Sequence, residues 1–400
     1  MPGRISLIAL VALAIQTGQT PQQPVFRSGA DVIMVDVQVS DRKWQPVTGL
    51  AAGDFEVFID GRRRTVVSSE FVRLAGGSEI GAAATLGAPV ATSPATPEPR
   101  TESRTLILGV DQSSLQIVQE PAAIEAVTRL LALASPDDLI GFVAYPQPGV
   151  SVAPTHDREA IRAALRKMGG QYMSVITRYN ISLSEAVDFA AQDEVTMRRV
   201  RSRECPGMDR ACVLQVNLAA REIAINAEIQ STRSVTGLRS VVEAVREWPG
   251  RKTLVVISAG MATSDRMGGR PDIRLEADTL GLRAAEANAV IYTLHLDVSF
   301  LTAFSARSRG GGQTVHRDGA LGANGLERFT GNAGGSLITV HAGPDQALKR
   351  LLQETSAYYL LGVETAPAER DGKTHRIQVR VKKGGTTVRS RSAVFIPKAQ

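Results

Sequence analysis

Residues 105–114 read Thr-Leu-Ile-Leu-Gly-Val-Asp-Gln-Ser-Ser and give the clearest indication of the fold class. Here a short apolar run ends in a carboxylate and two hydroxyls. Comparable apolar runs occur at 138–144, 254–258 and 290–295, and amphipathic helical segments separate them. Unbroken apolar strands that alternate with helices are typical of a mostly parallel sheet covered on both faces. The sequence therefore predicts an α/β fold with a doubly wound, mostly parallel, Rossmann-type sheet.

We expect β-rich segments on either side of this α/β domain. Residues 30–75 contain alternating apolar and polar positions, with Asp60-Gly61 as a hairpin turn between two apolar runs. Residues 344–397 return to the same alternation. The C-terminal β segment is therefore expected to pack on the N-terminal module.

The remaining boundaries follow from composition. Residues 76–103 are rich in Pro, Ala and Thr and offer little apolar surface to bury, which predicts a linker. The α/β domain then occupies 104–343 and carries a helical insertion at 180–247. Its Gly-rich segment 307–335 is expected to be a mobile loop, and the GxxxxGK[ST] order of a phosphate-binding loop is missing from it.

The first residues are typical of a secretory signal peptide. Arg4 precedes an apolar run at 5–15, and a stretch rich in Gln, Thr and Pro follows. The run is too short to span a bilayer, which takes about 20 residues. We place the signal peptide at 1–20 and expect an exported chain, periplasmic or extracellular, without a transmembrane segment once the signal is removed. A buried N-terminal strand or helix is the alternative.

The two cysteines, Cys205 and Cys212, lie close together in the predicted insertion. An even count at short spacing in an exported chain favours a local disulfide. A zinc site would need about four ligands, and no histidine is near these cysteines in the sequence. Two unconnected thiols remain the alternative.

The charge balance argues against nucleic acid as a partner. The chain has 46 lysines and arginines against 40 aspartates and glutamates, and the basic residues are spread along it. Nucleic-acid binding needs a clustered basic face interleaved with aromatic residues, and aromatic residues make up only 4% of the chain. We expect no nucleic-acid partner.

Asp111 and Ser113 follow the first predicted strand, and the stretch resembles the metal-ion-dependent adhesion site of von Willebrand factor A domains. That site has the pattern Asp-x-Ser-x-Ser, then a threonine, then an aspartate after a later strand. Most of the chain after residue 30 also resembles an acidobacterial-type family of exported proteins with a related A domain. The resemblance rests on three parts of the chain: 35–39 with 50–57, 249–260, and 358–363 with 371–381.

The resemblance implies a von Willebrand factor A-like fold and a protein partner, whose acidic group is recruited through a bound metal. It also implies an Mg²⁺ or Mn²⁺ site formed by Asp111, Ser113 and Thr177, with Ser182 as an alternative to Thr177. Such cations bind oxygen ligands.

This sequence departs from the metal-site pattern at two positions. Leu115 stands where the second serine is expected, unless Ser114 replaces it out of register. Ala259 stands where the family has an aspartate, and Asp265 is a possible substitute. Loss of a carboxylate and a hydroxyl weakens a site that depends on ligand charge and count. The alternative is a vestigial site in which Asp111 only caps the following turn.

No enzymatic constellation is evident in the sequence. The histidines are scattered, at positions 156, 295, 316, 341 and 375, and there is no G-x-S-x-G motif. His295 ends a strand and could face the cleft. We therefore expect no enzyme but an exported protein-binding protein with a degenerate adhesion site. If the metal site is inactive, binding must use loop surfaces such as 261–272 and 300–335. The alternative function is a metal-independent structural or envelope-assembly component.

Overall fold

The computed structural model describes residues 32–74, 100–248, 250–298, 314–341 and 343–398. The expected signal peptide and most of the expected linker lie outside these ranges. Within them, no helix is long and apolar enough to cross a membrane.

Across the described ranges the chain forms fifteen strands and eight α-helices. The strands are β1 Val32–Ser40, β2 Phe55–Ile59, β3 Arg62–Arg64, β4 Val66–Leu74, β5 Arg100–Glu102, β6 Thr105–Asp111, β7 Leu139–Tyr145, β8 Ser151–Thr155, β9 Lys252–Ser258, β10 Ala289–Leu296, β11 Leu337–Val340, β12 Ala357–Glu364, β13 Lys373–Val381, β14 Thr387–Ser390 and β15 Ala393–Ile396. The helices are α1 Glu120–Leu133, α2 Arg158–Leu165, α3 Leu183–Ala190, α4 Glu194–Glu204, α5 Arg210–Arg246, α6 Arg274–Glu286, α7 Val315–Asn332 and α8 Asp345–Glu354.

A six-stranded sheet forms the centre of the molecule, in the order β11-β10-β9-β6-β7-β8. Its neighbours pair in parallel except for the edge strand β8, which runs antiparallel to β7. The predicted mixed α/β class with a mostly parallel sheet is thus confirmed. The chain enters at β6, extends the sheet to β8, and then returns to the other side of β6 with β9.

Both faces of this sheet are buried because successive side chains of its strands point to opposite sides. Leu106, Leu108 and Val110 of β6 join a core that also contains residues of α1, α2 and α8. Ile107 of β6 and Leu254 of β9 join a second core with residues of α5, α6 and α7. This double burial explains the unbroken apolar runs in the sequence.

Strands from both ends of the chain share the two smaller sheets. One has the order β14-β1-β12-β4-β5 and the other β15-β13-β2-β3. Val37, Val57 and Leu361 are fully buried in a core between them. Because β1 pairs with β12, neither terminal segment forms its sheet alone.

Several boundaries differ from the sequence-based expectations. Residues 100–102, expected to end the linker, form β5 beside β4. The last part of the expected β segment, 386–396, forms two strands, β14 and β15, which belong to different sheets. The short strands β8 and β11 and the helix α8 were not anticipated, since four- and five-residue strands leave little periodic signal.

The expectation of a mobile loop at 307–335 is wrong for its described part, where α7 forms a helix. Leu321, Leu326 and Phe329 are buried on one side of it. The glycines permit close packing instead of disrupting the helix: a Cβ at Gly325 would lie 2.3 Å from the carbonyl oxygen of Met261. Residues 307–313 lie outside the described ranges.

The helical insertion consists of α3, α4 and the 37-residue α5. Cys205 follows the end of α4 and Cys212 lies in the first turn of α5, and the two form a disulfide. The expected disulfide is therefore confirmed. Asp209 caps α5, its carboxylate accepting a hydrogen bond from the Cys212 amide at 3.0 Å.

Candidate functional site

The candidate site lies at the carboxyl ends of the parallel strands. Asp111 ends β6, Ser258 ends β9, and His295 is the penultimate residue of β10. The direction of chain progression changes between β6 and β9, and ligands of open α/β sheets bind in the crevice at such a point. The fold therefore brings these three separated residues to one edge.

Asp111 is fully buried, and three serine hydroxyls donate hydrogen bonds to its carboxylate. Ser113 bonds to Oδ1 at 2.6 Å, whereas Ser234 and Ser258 bond to Oδ2 at 2.5 and 3.0 Å. Burial raises the pKa of Asp111, and these hydrogen bonds oppose that rise. The protein itself thus satisfies both carboxylate oxygens.

Ser114 joins the ends of β6 and β9. Its hydroxyl donates to the carbonyl of Asp111 at 2.8 Å and accepts from the amide of Ala259 at 2.9 Å. Leu115, at the position of the expected second serine, is fully buried in the apolar core. The Ser114 side chain therefore links the ends of β6 and β9 by hydrogen bonds.

The other suggested metal ligands have different roles. The Thr177 hydroxyl accepts from the amide of Tyr179 at 3.2 Å, and Thr177 lines a nearby cleft. Ser182 caps α3. Asp265 forms an ion pair with Arg317 at 3.1 Å. The structure thus gathers Asp111 with Ser113 and places Thr177 on the cleft wall.

The residues around Asp111 do not fit a divalent cation as they stand. Hard cations need several oxygen ligands with enough negative charge. Here Ala259 replaces one carboxylate, and Asp111 contributes the single carboxylate of the hydroxyl cluster. Among the described residues, no group of three or more His, Cys, Asp or Glu side chains could hold a metal.

A cleft of about 730 Å³ lies between this sheet edge and the helical insertion. Its walls come from five places: the loop after β6, the segment 172–185, α5, the segments that end β9 and β10, and the start of α7. Its lining is dominated by hydroxyl and amide side chains, including Ser113, Thr177 and Gln230. A cavity of this size suits a small molecule or a short peptide segment.

His295 lies on the cleft wall and is only 2% exposed. It hydrogen-bonds to the backbone of Ala259, and its Nδ1 has no hydrogen-bond partner. Burial lowers the pKa of His295, so the imidazole is neutral at neutral pH. Gln230, 8% exposed and also on the wall, has an unpartnered Oε1.

Two site residues carried no signal in the sequence. Ser234 belongs to the middle of α5, far along the chain from Asp111, and a serine on a long helix resembles any other polar position. Gln230 lies one turn earlier on that helix. The spacing of four residues between Gln230 and Ser234 indicates that they share one face of the helix. It does not indicate which part of the sheet that face contacts.

Comparison with known proteins adds no relative. The chain matches no protein-family model, and no curated protein matches it.

Proposed function

We propose that the chain is an exported protein-binding protein with a von Willebrand factor A-like domain, and that its partner occupies the cleft without a bridging metal. One observation carries this proposal: the cleft opens at the carboxyl ends of the parallel strands, beside an aspartate whose oxygens already accept three serine hydroxyls. The strand order and the helices on both faces support the doubly wound, A-type fold.

Export is supported by the N-terminal sequence pattern and by the Cys205–Cys212 disulfide. Disulfides persist in oxidising compartments such as the periplasm and the extracellular space.

The hydrogen-bond partners of the polar side chains at the site favour binding over catalysis. The Ser113 hydroxyl donates to a carboxylate, and His295 is bonded to a backbone carbonyl. A serine nucleophile of the triad type needs its hydroxyl directed to a histidine that a third group orients. Ser113 instead bonds to Asp111, and His295 bonds to Ala259.

Site-specific photo-cross-linking in the native cell tests the binding site. Ile176 on the cleft rim and Met267 in the loop 261–272 are each 99% exposed, and Met267 is not part of the cleft lining. A photoreactive residue at 176 should capture a protein partner, and one at 267 should not. Equal capture at both positions would contradict the cleft as the site, and capture at neither would favour the structural alternative.

Calorimetric titration with Mg²⁺ and Mn²⁺ tests the absence of a metal requirement. We expect no saturable binding to the wild-type chain or to Asp111→Ala. Saturable binding that disappears in Asp111→Ala would instead support the metal-dependent site implied by the resemblance.

A further inference from the structure

We infer that the cleft recognises a basic side chain of the partner, lysine or arginine, through hydrogen-bond acceptors and carboxylates on its walls. This inference rests on the proposed function and adds the chemistry of the ligand. It reverses the polarity implied by the resemblance, in which a bound cation recruits an acidic group.

The first argument is the protonation state of His295. Its Nδ1 has no hydrogen-bond partner, so the hydrogen bond with the Ala259 carbonyl is made by Nε2. A nitrogen that bonds to a carbonyl oxygen must carry the proton. In a neutral imidazole the other nitrogen is then an acceptor. Nδ1 is therefore a buried acceptor without a donor.

Gln230 of α5 supplies a second acceptor in the cleft lining. Its Oε1 also lacks a donor, although the residue is 8% exposed. A buried polar atom without a hydrogen bond costs about 1–3 kcal/mol. Two such acceptors on one cleft favour a ligand that brings several N–H donors.

The charges of the described lining residues point the same way. Three carboxylates, Glu185, Asp297 and Asp318, lie on the walls. Arg203 also lines the cleft, and its guanidinium bonds to Glu185 at 2.8 Å and Glu204 at 2.7 Å. Glu185 is thus already paired, Asp297 lies 3.5 Å from His341, and burial raises the pKa of Asp318. Carboxylates still outnumber the guanidinium among the described lining residues, which favours a cation over an anion as ligand.

The remaining wall suits the aliphatic part of a long basic side chain. Ile223 and Ala227 of α5 contribute apolar surface to the cleft. Lysine and arginine bury their methylene stems against such surface while their charged ends reach polar groups. Their ends offer three and five N–H donors, respectively.

Nuclear magnetic resonance of the full chain with ¹³C-labelled histidine rings tests this inference. The resonance of His295 is identified by its loss in His295→Gln. The probes are blocked tripeptides with a central arginine, lysine or glutamate between glycines. We expect the two basic peptides to shift the His295 resonance in a saturable manner and the glutamate peptide to leave it unchanged.

Matched glutamine variants provide the control. Gln230→Leu removes the cleft acceptor and should weaken binding of the basic peptides about fivefold, the effect of about one lost hydrogen bond. Gln378→Leu changes an exposed glutamine of β13 and should leave the affinity unchanged. Thermal unfolding of both variants checks that the fold is retained.

The outcomes separate this inference from the proposed function. If only the glutamate peptide binds, or if no peptide shifts His295 while cross-linking from position 176 persists, the basic ligand is wrong and the cleft remains a binding site. If the cross-link also fails, both proposals are overturned. Equal affinity of wild type and Gln230→Leu for the basic peptides would likewise contradict the inference.

Discussion

His375 lies between two carboxylates, where the N-terminal hairpin meets the C-terminal strand β13. Its Nδ1 is 2.8 Å from Asp60 and its Nε2 is 3.1 Å from Asp371. The hydrogen bond with Asp60 is the main cause that raises the pKa of His375, and Asp371 adds to it. The imidazolium thus links a turn near one end of the chain to a turn near the other.

The pH dependence of stability should report this link. Because the folded pKa is raised, the stabilising contribution is complete below about pH 6.5, the unfolded value, and is lost as the pH rises through the folded pKa. His375→Gln should therefore reduce the free energy of unfolding more at about pH 6 than at about pH 9, measured by urea denaturation. In an Asp60→Asn background the difference between the two pH values should shrink. An equal loss at both pH values would contradict the charged pair.

Asp111 should contribute to stability whether or not metal is present. Asp111→Ala leaves three buried serine hydroxyls without their acceptor, which should cost about 3 kcal/mol of unfolding free energy. Urea denaturation should give the same loss in Mg²⁺ and in chelator. Asp265→Ala, which breaks an exposed ion pair, should cost less than about 1 kcal/mol. A loss seen only with Mg²⁺ present would show that a cation is the true partner of Asp111.

Sequence spacing identified part of this residue cluster. Asp111 and Ser113 are two residues apart at the end of a strand, so their contact could be predicted from local structure. Ser234 contacts Asp111 only because α5 crosses the sheet edge next to the end of β6. That crossing depends on helix packing, which local sequence does not encode.

At the scale of elements, α5 passes so close to the sheet edge that one of its glycines leaves no room for a side chain. A Cβ at Gly237 would lie 2.9 Å from the ring of Tyr145 and 3.0 Å from Cβ of Pro146. The close approach allows the helix to place Ser234 against Asp111. Gly237 therefore allows α5 to lie close to Tyr145 and Pro146, although glycine lowers the helix propensity of the segment.

Two glycine-to-alanine changes should have opposite signs. Gly237→Ala should destabilise the protein by about 1–3 kcal/mol, because overpacking outweighs the gain in helix propensity. Gly331→Ala, near the end of α7, meets no atom within 4 Å and should stabilise by about 0.5–1 kcal/mol. Thermal and urea unfolding of the two variants give the comparison. Stabilisation by Gly237→Ala would mean that α5 lies farther from Tyr145.

Element prediction succeeded where apolar periodicity was strong and failed where composition was misleading. The β6 run was unmistakable because both its faces are buried. The α7 segment contains many glycines, which argue for a loop by propensity, and yet its buried Leu321, Leu326 and Phe329 pack it as a helix. Tertiary packing there outweighs local preference.

At the scale of the whole molecule, strand β1 connects the smaller sheets to the central one. Asp36 of β1 forms an ion pair with Arg251 beside β9 at 3.1 Å, and both side chains are at most 10% exposed. Arg251 also stacks over the ring of Tyr358, 4.5 Å from its centroid. The hydroxyl of Tyr292 in β10 donates to Gln38 of β1. These buried polar contacts hold the sheet that contains β1 and β12 against the central six-stranded sheet.

Breaking the buried pair should be costly. Asp36→Ala leaves the Arg251 charge without its carboxylate in a buried position, which should cost about 3 kcal/mol or more. Asp345→Ala breaks the exposed pair with Arg129 and should cost less than about 1 kcal/mol. Differential scanning calorimetry should show a clearly lower melting temperature for Asp36→Ala alone. Equal melting temperatures for the two variants would contradict a coupled junction.

The long-range arrangement was only partly accessible from sequence. The alternation of apolar and polar residues at 30–75 and 344–397 predicts half-buried strands. Because both segments have an apolar face to bury, a shared core could be expected. The register, such as Val32 opposite Glu364, depends on how the α/β domain spaces the two ends. The distance between the two β segments is set by the packed α/β domain and not by the sequence of either segment.

The interleaving of the two ends has a consequence for synthesis. The chain leaves the ribosome from its N-terminus, so β1 and β4 emerge long before β12, which lies between them in the sheet. The central sheet and its helices are complete once α8 has emerged, whereas the apolar faces of β1 and β4 still await their neighbour. A premature stop after α8 would therefore release a chain whose first strands have no central strand to join, and such unpaired edges invite aggregation. The first strands of the newborn protein must therefore be kept apart from neighbouring chains until β12 has been made.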